Sequence, residues 1–294
     1  MDYKSVEEID NGVMLKGVKN FELEHIFECG QCFRWHKNEE GNYVGVAFEN
    51  VIEVEKQGKN VILYNTNIKQ FEEIWSDYFD LKRDYSKIKK ELSKDTILKN
   101  AVEFGHGIRL LKQEPFELLI SFIISANNRI PMIKRTIQNI SKRWGKEIHY
   151  KNQVYYAFPS LENLKCATLD DIKECGAGFR AKYIIETIHQ LNNGEIDLSY
   201  IANLDDDACH NELKKFSGVG PKVADCIMLF SMAKYSAFPV DIWVKRAMQY
   251  FYLAPDVSLP KIRQFAREKF GKLSGFAQQY LFYYARENNI QITN

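Results

Sequence analysis

The first third of the chain alternates between apolar and polar residues with a period of two. Residues 12–16, 31–37, 43–48, 51–55 and 61–64 each show this alternation, which is typical of half-buried strands. Turn-forming stretches such as NEEGN and KQGKN keep the connections between these strands short. Because short connections join antiparallel neighbours, the pattern predicts an antiparallel sheet.

Near Ile68 the apolar spacing changes from two to three and four, which indicates helices. QFEEIWSDYFDL and YSKIKKEL are the first such segments. From about residue 96 nearly every segment is predicted to be helical, namely residues 115–128, 130–144, 161–174, 181–191, 205–216, 222–232, 241–250, 259–270 and 276–287. The sequence therefore predicts an α+β fold. An N-terminal antiparallel sheet domain with flanking helices (1–97) precedes a larger all-α region (98–294).

Composition places the chain among globular proteins. It has 294 residues, of which 45% are hydrophobic and 27% are charged. The first residues, MDYKSVEEID, contain no apolar run, and the longest apolar stretch, PFELLISFIISA, contains Glu117 and is far shorter than a membrane span. We expect an intracellular protein without a membrane partner, cytoplasmic or associated with the nucleoid if the source is prokaryotic.

The charges are distributed unevenly along the chain. The net charge is +1, but residues 1–98 hold 14 Lys/Arg against 19 Asp/Glu, so residues 99–294 are net basic. A basic C-terminal part fits a polyanionic partner only weakly, because charge runs are usually solvated surface.

The stretch CGQCFRW places Cys29 and Cys32 at the spacing of a redox pair or half a zinc site. A zinc ribbon needs a second CxxC and an iron–sulfur cluster needs a longer cysteine run, and the sequence has neither. The residues after Cys32 alternate as a strand does, whereas a redox CxxC opens a helix. We therefore expect two packed free thiols, no metal site and no cofactor.

Residues 211–246 contain the most informative motif, a tight turn between two amphipathic helices. Gly218 and Gly220 permit positive φ on either side of Val219, and Pro221 suits the first position of the next helix. The pattern predicts a helix-hairpin-helix at about residues 205–232. Its bare amides would bind a phosphodiester without contacting the bases. Alternatively, the glycines merely cap one helix before another starts.

Two polar residues in this stretch are candidates for chemistry. Lys222 lies in the first helical turn, where the helix dipole disfavours a cation. It is either a surface lysine that touches phosphate or an amine nucleophile that forms a Schiff base. Asp241 is predicted to cap the helix that follows it, and it could also stabilise positive charge that develops at a sugar carbon.

These segments resemble the helix-hairpin-helix DNA glycosylases that carry an aspartate loop of the GPD type, and more closely the 8-oxoguanine DNA glycosylase/AP lyases. The resemblance runs in one order over almost the whole chain: CGQCFRW, YFDL, RLLKQEPFELLISFIISANNRI, CGAGFRAKYI, SGVGPKVADC, PVDIW and FAQQYLFYYAR.

The resemblance implies a bifunctional repair enzyme acting on double-stranded DNA that contains oxidised guanine. Such an enzyme flips the damaged nucleotide out of the stack. Lys222 would attack C1′ of the sugar and form a Schiff base, after which β-elimination nicks the strand. Asp241 would hold charge at the sugar. The chemistry requires no metal or organic cofactor, and we expect a monomer.

The resemblance also assigns residues to the flipped base. The Gly30 carbonyl would accept a hydrogen bond from N7–H of 8-oxoguanine, which normal guanine lacks. Phe282 would stack on one face of the base, Cys226 would lie on the other, and Gln278 would hydrogen-bond the Watson–Crick edge. Periodicity alone favours ordinary core packing for Phe282 and Cys226.

Further positions match residues that contact the duplex. Asn127 would fill the gap left by the flipped base, and Arg180 would contact the orphaned partner base. Met132 stands where the eukaryotic members have a second arginine, so we expect relaxed preference for the opposite base. Phe179 replaces the wedging tyrosine, and Trp243 replaces the family's histidine.

Three other functions remain open at the sequence level. The first is a sister glycosylase on the same scaffold that removes alkylated bases or mismatched adenine. The second is a DNA-binding module without catalysis, which would use only the hairpin. The third is a thiol or zinc protein built on the CxxC. Lys222 argues against a monofunctional enzyme.

Overall fold

The computed structural model describes residues 1–254 and 256–291. Its N-terminal part is one antiparallel six-stranded sheet with the strand order β1-β2-β6-β5-β4-β3. The strands are β1 (Ser5–Ile9), β2 (Gly12–Lys16), β3 (Trp35–Lys37), β4 (Tyr43–Ala47), β5 (Asn50–Gln57) and β6 (Asn60–Tyr64). The predicted antiparallel sheet is confirmed. Strand β1 was not predicted, because it is a mostly exposed edge strand without apolar alternation.

The strand predicted over residues 31–37 is wrong for its first half. Only Trp35–Lys37 forms a strand, and the residues before it form a loop. Gly30 has φ +78°, outside the strand region, and the side chain of Gln31 is completely buried in the loop. The alternation of this segment therefore reflects a folded loop that continues into a short strand.

The helices are bounded as follows: α1 Leu23–Phe27, α2 Ile68–Gln70, α3 Ser76–Tyr78, α4 Tyr85–Leu92, α5 Thr96–Phe104, α6 Pro115–Ser125, α7 Ile130–Trp144, α8 Leu161–Leu164, α9 Leu169–Ile172, α10 Arg180–Asn192, α11 Leu198–Asn203, α12 Asp206–Leu213, α13 Pro221–Ser231, α14 Ile242–Phe251, α15 Leu259–Phe270 and α16 Ser274–Glu287. A π-helical segment, Phe71–Trp75, joins α2 to α3. The predicted bounds of α4, α7 and α15 are confirmed. Helix α1 was not predicted, and α5 and α11 lie in the region predicted to be helical but were given no bounds.

Three helical predictions need correction. The helix predicted over residues 115–128 ends at Ser125, and Asn127 adopts φ +49°. Residues 161–174 were predicted as one helix, but the chain breaks after α8 and restarts at α9, where Thr168 and Asp171 form a capping box. A π-helical segment then follows, and Gly176 at φ +96° bends it. The helix predicted over residues 70–81 ends at Tyr78, because Asp80 adopts φ +49°.

The prediction of an all-α C-terminal region is wrong in one place, which forms a β-hairpin. Strands β7 (Glu147–Tyr150) and β8 (Gln153–Tyr156) form a hairpin. Its two turn residues, Lys151 and Asn152, both have positive φ, which suits the right-handed twist of the strands. Neither is glycine, so the sequence carried only a weak turn signal.

Hydrophobic side chains form two main cores. One lies between the sheet and the helical segment around Trp75 and Phe79, and the other fills the helical region. Helix α6 lies at the centre of the second core, with every residue from Leu118 to Ile124 buried. A buried ion pair between Arg109 and Asp2, 2.8 Å long, ties the chain start to the segment before α6. The domain boundary at 97/98 stays a prediction.

Helix α6 is also the most apolar helix of the chain, yet it has only 11 residues. Within the described residues, no helix combines the length and the apolar character needed to cross a bilayer.

Candidate functional site

One large cavity, of about 1080 Å³, opens among the loop before β3, the start of α13, the start of α14 and one face of α16. Nine of the thirteen residues selected from the sequence line it: Gly30, Asn127, Gly218, Gly220, Lys222, Cys226, Asp241, Gln278 and Phe282. Residues separated by up to 252 positions in the sequence therefore meet in one place. Val219, Arg180, Phe179 and Met132 do not line it.

Lys222 reaches this cavity from the N-terminal turn of α13. Pro221 occupies the first helical position, as predicted, after Gly220 in an extended conformation. The Lys222 Nζ lies 5.1 Å from the centre of the Phe122 ring, which is itself buried. An ammonium over an aromatic face in a recessed site is held by electrostatic attraction to the ring. The half-buried Lys222 side chain therefore lies beside an apolar wall.

Cys226 lies one helical turn after Lys222, and its side chain is 3% exposed. Burial raises the pKa of the Cys226 thiol to about 12, although Lys222 acts in the opposite direction. The thiol is therefore neutral near pH 7 and presents a small, polarisable surface to the cavity.

The hairpin turn between α12 and α13 depends on one glycine more than the other. Gly218 has φ +79°, and a Cβ there would lie 2.8 Å from Cδ2 of Tyr183. Gly220 has φ −89° and an open surrounding, so of the two glycines only Gly218 uses a positive φ in this turn. The Val219 side chain is buried, and its amide donates to the Phe216 carbonyl over 3.1 Å.

Asp241 caps α14, as predicted. One of its carboxylate oxygens accepts a hydrogen bond of 2.8 Å from the Val244 amide. Burial raises the pKa of the Asp241 carboxyl, and the bond from the Val244 amide and the charge of Lys222 partly oppose this. Trp243 also lines the cavity, with the Arg246 guanidinium 4.9 Å from its ring centre. A carboxylate and an amine thus share a partly desolvated space.

Gly30 and Phe282 contact each other on a second wall of the cavity. A Cβ on Gly30 would lie 2.9 Å from Cε1 of Phe282, and the Gly30 φ of +78° is one that other residues rarely adopt. The guanidinium of Arg286 lies 5.2 Å from the centre of the Phe282 ring. In the part of the chain that the structure describes, no hydrogen bond is donated to the Gly30 carbonyl. This wall therefore offers an uncommitted backbone acceptor next to an aromatic ring.

Gln278 adds an uncommitted side chain to the same wall. It is 4% exposed, and within the described residues its buried Oε1 has no hydrogen-bond partner. A buried polar oxygen without a partner is costly, so such a group usually meets a ligand or ordered water. The neighbouring Gln279 is committed instead, since its Nε2 donates to the Cys29 carbonyl over 2.5 Å.

Asn127 and Arg180 lie together at the rim of the cavity. Asn127 is exposed and adopts φ +49°, which asparagine tolerates better than most residues. Arg180 is 8% exposed, and its guanidinium donates to the Ala126 carbonyl over 2.7 Å and to the Asn127 carbonyl over 2.8 Å. In this structure Arg180 holds the turn that presents Asn127. Its contact with a partner base stays a prediction.

Phe179 and Met132 are exposed apolar side chains that lie outside the cavity lining. Phe179 is 61% exposed, and its ring centre lies 4.4 Å from the Arg180 guanidinium carbon. Met132, in the first turn of α7, is 42% exposed. Single exposed apolar side chains are common on protein surfaces, so their exposure alone assigns no role to Phe179 or Met132.

Sequence reasoning missed Phe122, Gln279, Arg286 and Gln31 as residues that build the site. Phe122 was assigned only to a buried helix, and nothing in the sequence shows that its ring faces an amine. Arg286 follows Phe282 by four residues, a spacing that places both on one helix face, and this signal was available. Gln31 was seen only as a neighbour of Gly30.

All six cysteines are free, and all except Cys166 are buried. The packed thiols predicted for Cys29 and Cys32 are confirmed. Among residues 1–254 and 256–291, no three His, Cys, Asp or Glu side chains form a group that could hold a metal ion.

Two families match consecutive parts of the chain. Residues 13–119 match the N-terminal domain of 8-oxoguanine DNA glycosylase. Residues 120–272 match the HhH-GPD superfamily of base excision DNA repair proteins. The second match alone covers more than half of the chain and includes the hairpin, Lys222 and Asp241.

Individual proteins also match the chain over most of its length. It is 63% identical to the Clostridium acetobutylicum 8-oxoguanine glycosylase/lyase, whose structure was solved with double-stranded DNA containing cytosine opposite 8-oxoguanine; the match covers 99% of this chain and all of that one, with a TM-score of 0.98. A probable N-glycosylase/DNA lyase of Methanothermobacter thermautotrophicus is 35% identical over 72% of this chain and 74% of its own. The Arabidopsis thaliana N-glycosylase/DNA lyase OGG1 is 30% identical over 87% of this chain and 75% of its own.

Proposed function

The chain belongs to the HhH-GPD superfamily of base excision DNA repair proteins, and on that premise we propose that it is a bifunctional 8-oxoguanine DNA glycosylase/AP lyase. It excises 8-oxoguanine from duplex DNA and then cleaves the strand at the resulting abasic site. The similarity to a glycosylase/lyase over the whole chain supports both activities. A chromosomal DNA substrate places the enzyme inside the cell, where it acts as a monomer.

The observation that carries the proposal is that one cavity combines a half-buried amine with uncommitted hydrogen-bond acceptors. Lys222 supplies the amine, while the Gly30 carbonyl and the Gln278 side chain have no partner among the described residues. A flipped purine needs polar partners along its edge and an apolar or aromatic surface on each face. Phe282 and Cys226 supply those surfaces.

Selectivity for the oxidised base follows from one proton. 8-Oxoguanine carries a hydrogen on N7 and can donate to the Gly30 carbonyl, whereas guanine presents a lone pair there. Two acceptors facing each other in a buried site leave both unsatisfied, at a cost of about 1–3 kcal/mol. Such a cost lowers guanine excision by roughly tenfold to a hundredfold. The Gln278 amide completes recognition at the Watson–Crick edge.

The chemistry begins at the Lys222 Nζ. After the ammonium has lost a proton, the amine attacks C1′, the bond between C1′ and N9 of the base breaks, and the base leaves with its electron pair. The nitrogen then loses a proton, the bond between C1′ and O4′ breaks, and O4′ takes up a proton, which leaves the opened sugar joined to Lys222 as a Schiff base. Loss of a proton from C2′ breaks the bond between C3′ and its oxygen, which nicks the strand. The Asp241 carboxylate stabilises positive charge at the sugar during base loss.

The duplex contacts the hairpin and the rim. The amides of Gly218, Gly220 and the first turn of α13 bind a backbone phosphate, aided by the positive end of the helix dipole. Val219 fixes the turn from inside. Asn127 fills the space left by the flipped nucleotide.

The partner base is contacted from the other side of the rim. Phe179 inserts into the base stack beside the partner base. Arg180 approaches the partner base from the turn that presents Asn127. Met132 offers no hydrogen bond to cytosine, so the enzyme accepts several bases opposite the lesion.

The experiment that tests this function is strand cleavage of duplexes that differ in one nucleotide. The enzyme should cleave a duplex with a single 8-oxoguanine and one with a preformed abasic site, and leave the guanine duplex intact. Release of free base without cleavage would indicate a monofunctional glycosylase. Cleavage at alkylated purines in preference to 8-oxoguanine would indicate a sister activity on the same scaffold. Binding without either reaction would indicate a DNA-binding module.

A further inference from the structure

The loop Glu28–Gln31 is held almost completely by side chains from elsewhere in the chain. Gln279 donates to the Cys29 carbonyl, Arg286 to the Glu28 carbonyl and Gln113 to the Gln31 carbonyl. The carbonyls on both sides of Gly30 are therefore engaged. The Gly30 carbonyl is the uncommitted acceptor of this loop among the described residues.

The Gln31 side chain is the most constrained part of this loop. It is fully buried, and its Nε2 donates to the Ile26 carbonyl over 2.9 Å and to the Arg109 carbonyl over 2.7 Å. Its Oε1 accepts a hydrogen bond of 2.9 Å from the Leu111 amide. One amide side chain thus uses both donors and its acceptor to join the end of α1 to the segment before α6.

That segment is itself fixed to the helix that carries Lys222. The Gln113 backbone amide donates to the Phe230 carbonyl of α13 over 2.8 Å, and its side-chain Nε2 donates to the Gln31 carbonyl over 2.7 Å. A short chain of hydrogen bonds therefore runs from the loop of Gly30, through Gln113, to α13. Each of its bonds uses a group that is buried or half-buried, so water competes weakly with it.

From this arrangement we propose that Gln31 is a positioning residue, which sets the place of the Gly30 carbonyl relative to Lys222 and thereby determines lesion specificity. The proposal rests on the function proposed above. A hydrogen bond to N7–H forms only within a narrow range of distance and angle, so a displaced carbonyl loses the lesion while leaving the amine in place. Gln31 does not line the cavity and acts only through Gly30.

Two activities of the same enzyme separate this role from a merely structural one. Excision of 8-oxoguanine needs both the Gly30 carbonyl and Lys222, whereas β-elimination at a preformed abasic site has no base to recognise. The main variant is Gln31→Glu, which keeps the shape but turns a carboxylate oxygen towards the Ile26 and Arg109 carbonyls. The second variant is Gln113→Ala, which removes a half-buried side chain and tolerates truncation better. The control is Asn163→Ala, which removes a similar amide-to-carbonyl bond, to Trp144, away from the cavity.

We expect single-turnover excision of 8-oxoguanine to fall at least tenfold in both variants, with abasic-site cleavage within threefold of wild type and the control unchanged. If Gln31→Glu shows no cooperative thermal transition, Gln113→Ala alone decides. Proportional loss of both activities, or unchanged excision in Gln113→Ala, would overturn the proposal. Failure of the proposed function looks different, because wild type itself would then not act on 8-oxoguanine.

Discussion

The two walls of the cavity are built on different physical principles. The wall formed by Gly30, Gln278 and Phe282 is positioned by hydrogen bonds that engage almost every polar group around it. The wall formed by Lys222 and Asp241 relies on helix N-termini and burial, which raises the pKa of the Asp241 carboxyl. On the function proposed above, the first wall recognises the base and the second wall supplies the charges for chemistry. A change in geometry should therefore harm selectivity first, whereas a change in charge should harm the reaction itself.

The largest effect is expected from Asp241→Asn, which changes the charge of the second wall and leaves its geometry in place. Asparagine caps a helix about as well as aspartate, so α14 and the fold should be retained while the negative charge is lost. We expect excision to fall by roughly a hundredfold or more, and the thermal midpoint to change little. Single-turnover kinetics and thermal unfolding measure the two effects. The control is Asp197→Asn, at the cap of α11. A large loss of stability with little loss of rate would show that Asp241 acts only as a cap.

Gly30→Ala changes the geometry of the recognition wall, which is the wall formed by Gly30, Gln278 and Phe282. The new Cβ would lie 2.9 Å from Phe282 and would force a residue other than glycine into φ +78°. We expect 8-oxoguanine excision to fall about tenfold to a hundredfold, with a smaller effect on abasic-site cleavage. Gly58→Ala is the matched control, because Gly58 has φ +58° and no neighbour within 4 Å. Equal behaviour of the two variants would show that backbone strain, and not contact with the lesion, explains the effect.

Substitution of Met132, which lies outside both walls, tests whether the rim of the cavity distinguishes the base opposite the lesion. Wild type should excise 8-oxoguanine opposite cytosine, adenine or guanine at rates within about threefold, since methionine donates no hydrogen bond. Met132→Arg should create a preference for cytosine of about tenfold, equivalent to about one charged hydrogen bond. Ile130→Arg adds the same charge to the same exposed helical turn and should strengthen binding opposite all bases alike. A strong cytosine preference in wild type would contradict the assignment.

The smallest expected effect concerns Glu117, which pairs with Arg34 at 3.4 Å just beyond the recognition loop. Burial raises the pKa of Glu117 to about 7, against an ordinary value of 4.5, and Arg34 opposes the shift. The folded protein therefore holds a proton that the unfolded chain has lost. Stability should fall as the pH rises from 4.5 to 7 and remain low above that range.

Glu117→Gln removes this titration. The free energy of unfolding of the variant, relative to wild type, should rise by about 1–3 kcal/mol between pH values of about 5 and 8. Denaturant unfolding at several pH values measures it, with Glu73→Gln, an exposed residue, as the control. A difference between variant and wild type that stays constant with pH would contradict the assigned cause.

The sequence supported the second wall better than the first. Gly-Val-Gly-Pro-Lys and the aspartate cap are local signals, and the structure contains both the hairpin and the cap that they predicted. The recognition wall depends instead on contacts between distant segments. No local pattern reveals that Gln31 bonds to residues 109 and 111, or that Gln279 bonds to Cys29. The alternation around Gly30 even predicted a strand where the chain forms a loop.

The sequence also failed to reveal the strands at the edges of the fold, for a similar reason. Strand β1 is mostly exposed and pairs through its backbone, so its side chains carry no apolar alternation. The hairpin of β7 and β8 turns at two residues that are not glycine. Helix periodicity, by contrast, is imposed by burial along one face, which explains why the bounds of α4, α7 and α15 could be predicted closely.

The measurement that tests the central claim most directly is borohydride trapping on a duplex that contains one 8-oxoguanine. Borohydride reduces a Schiff base to a stable covalent adduct, so the adduct identifies both the amine and the substrate. Wild type and Lys215→Gln, an exposed lysine of the same hairpin paired with Glu212, should be trapped, while Lys222→Gln should not. Trapping of Lys222→Gln, or no adduct from wild type that still binds the damaged duplex, would contradict the account.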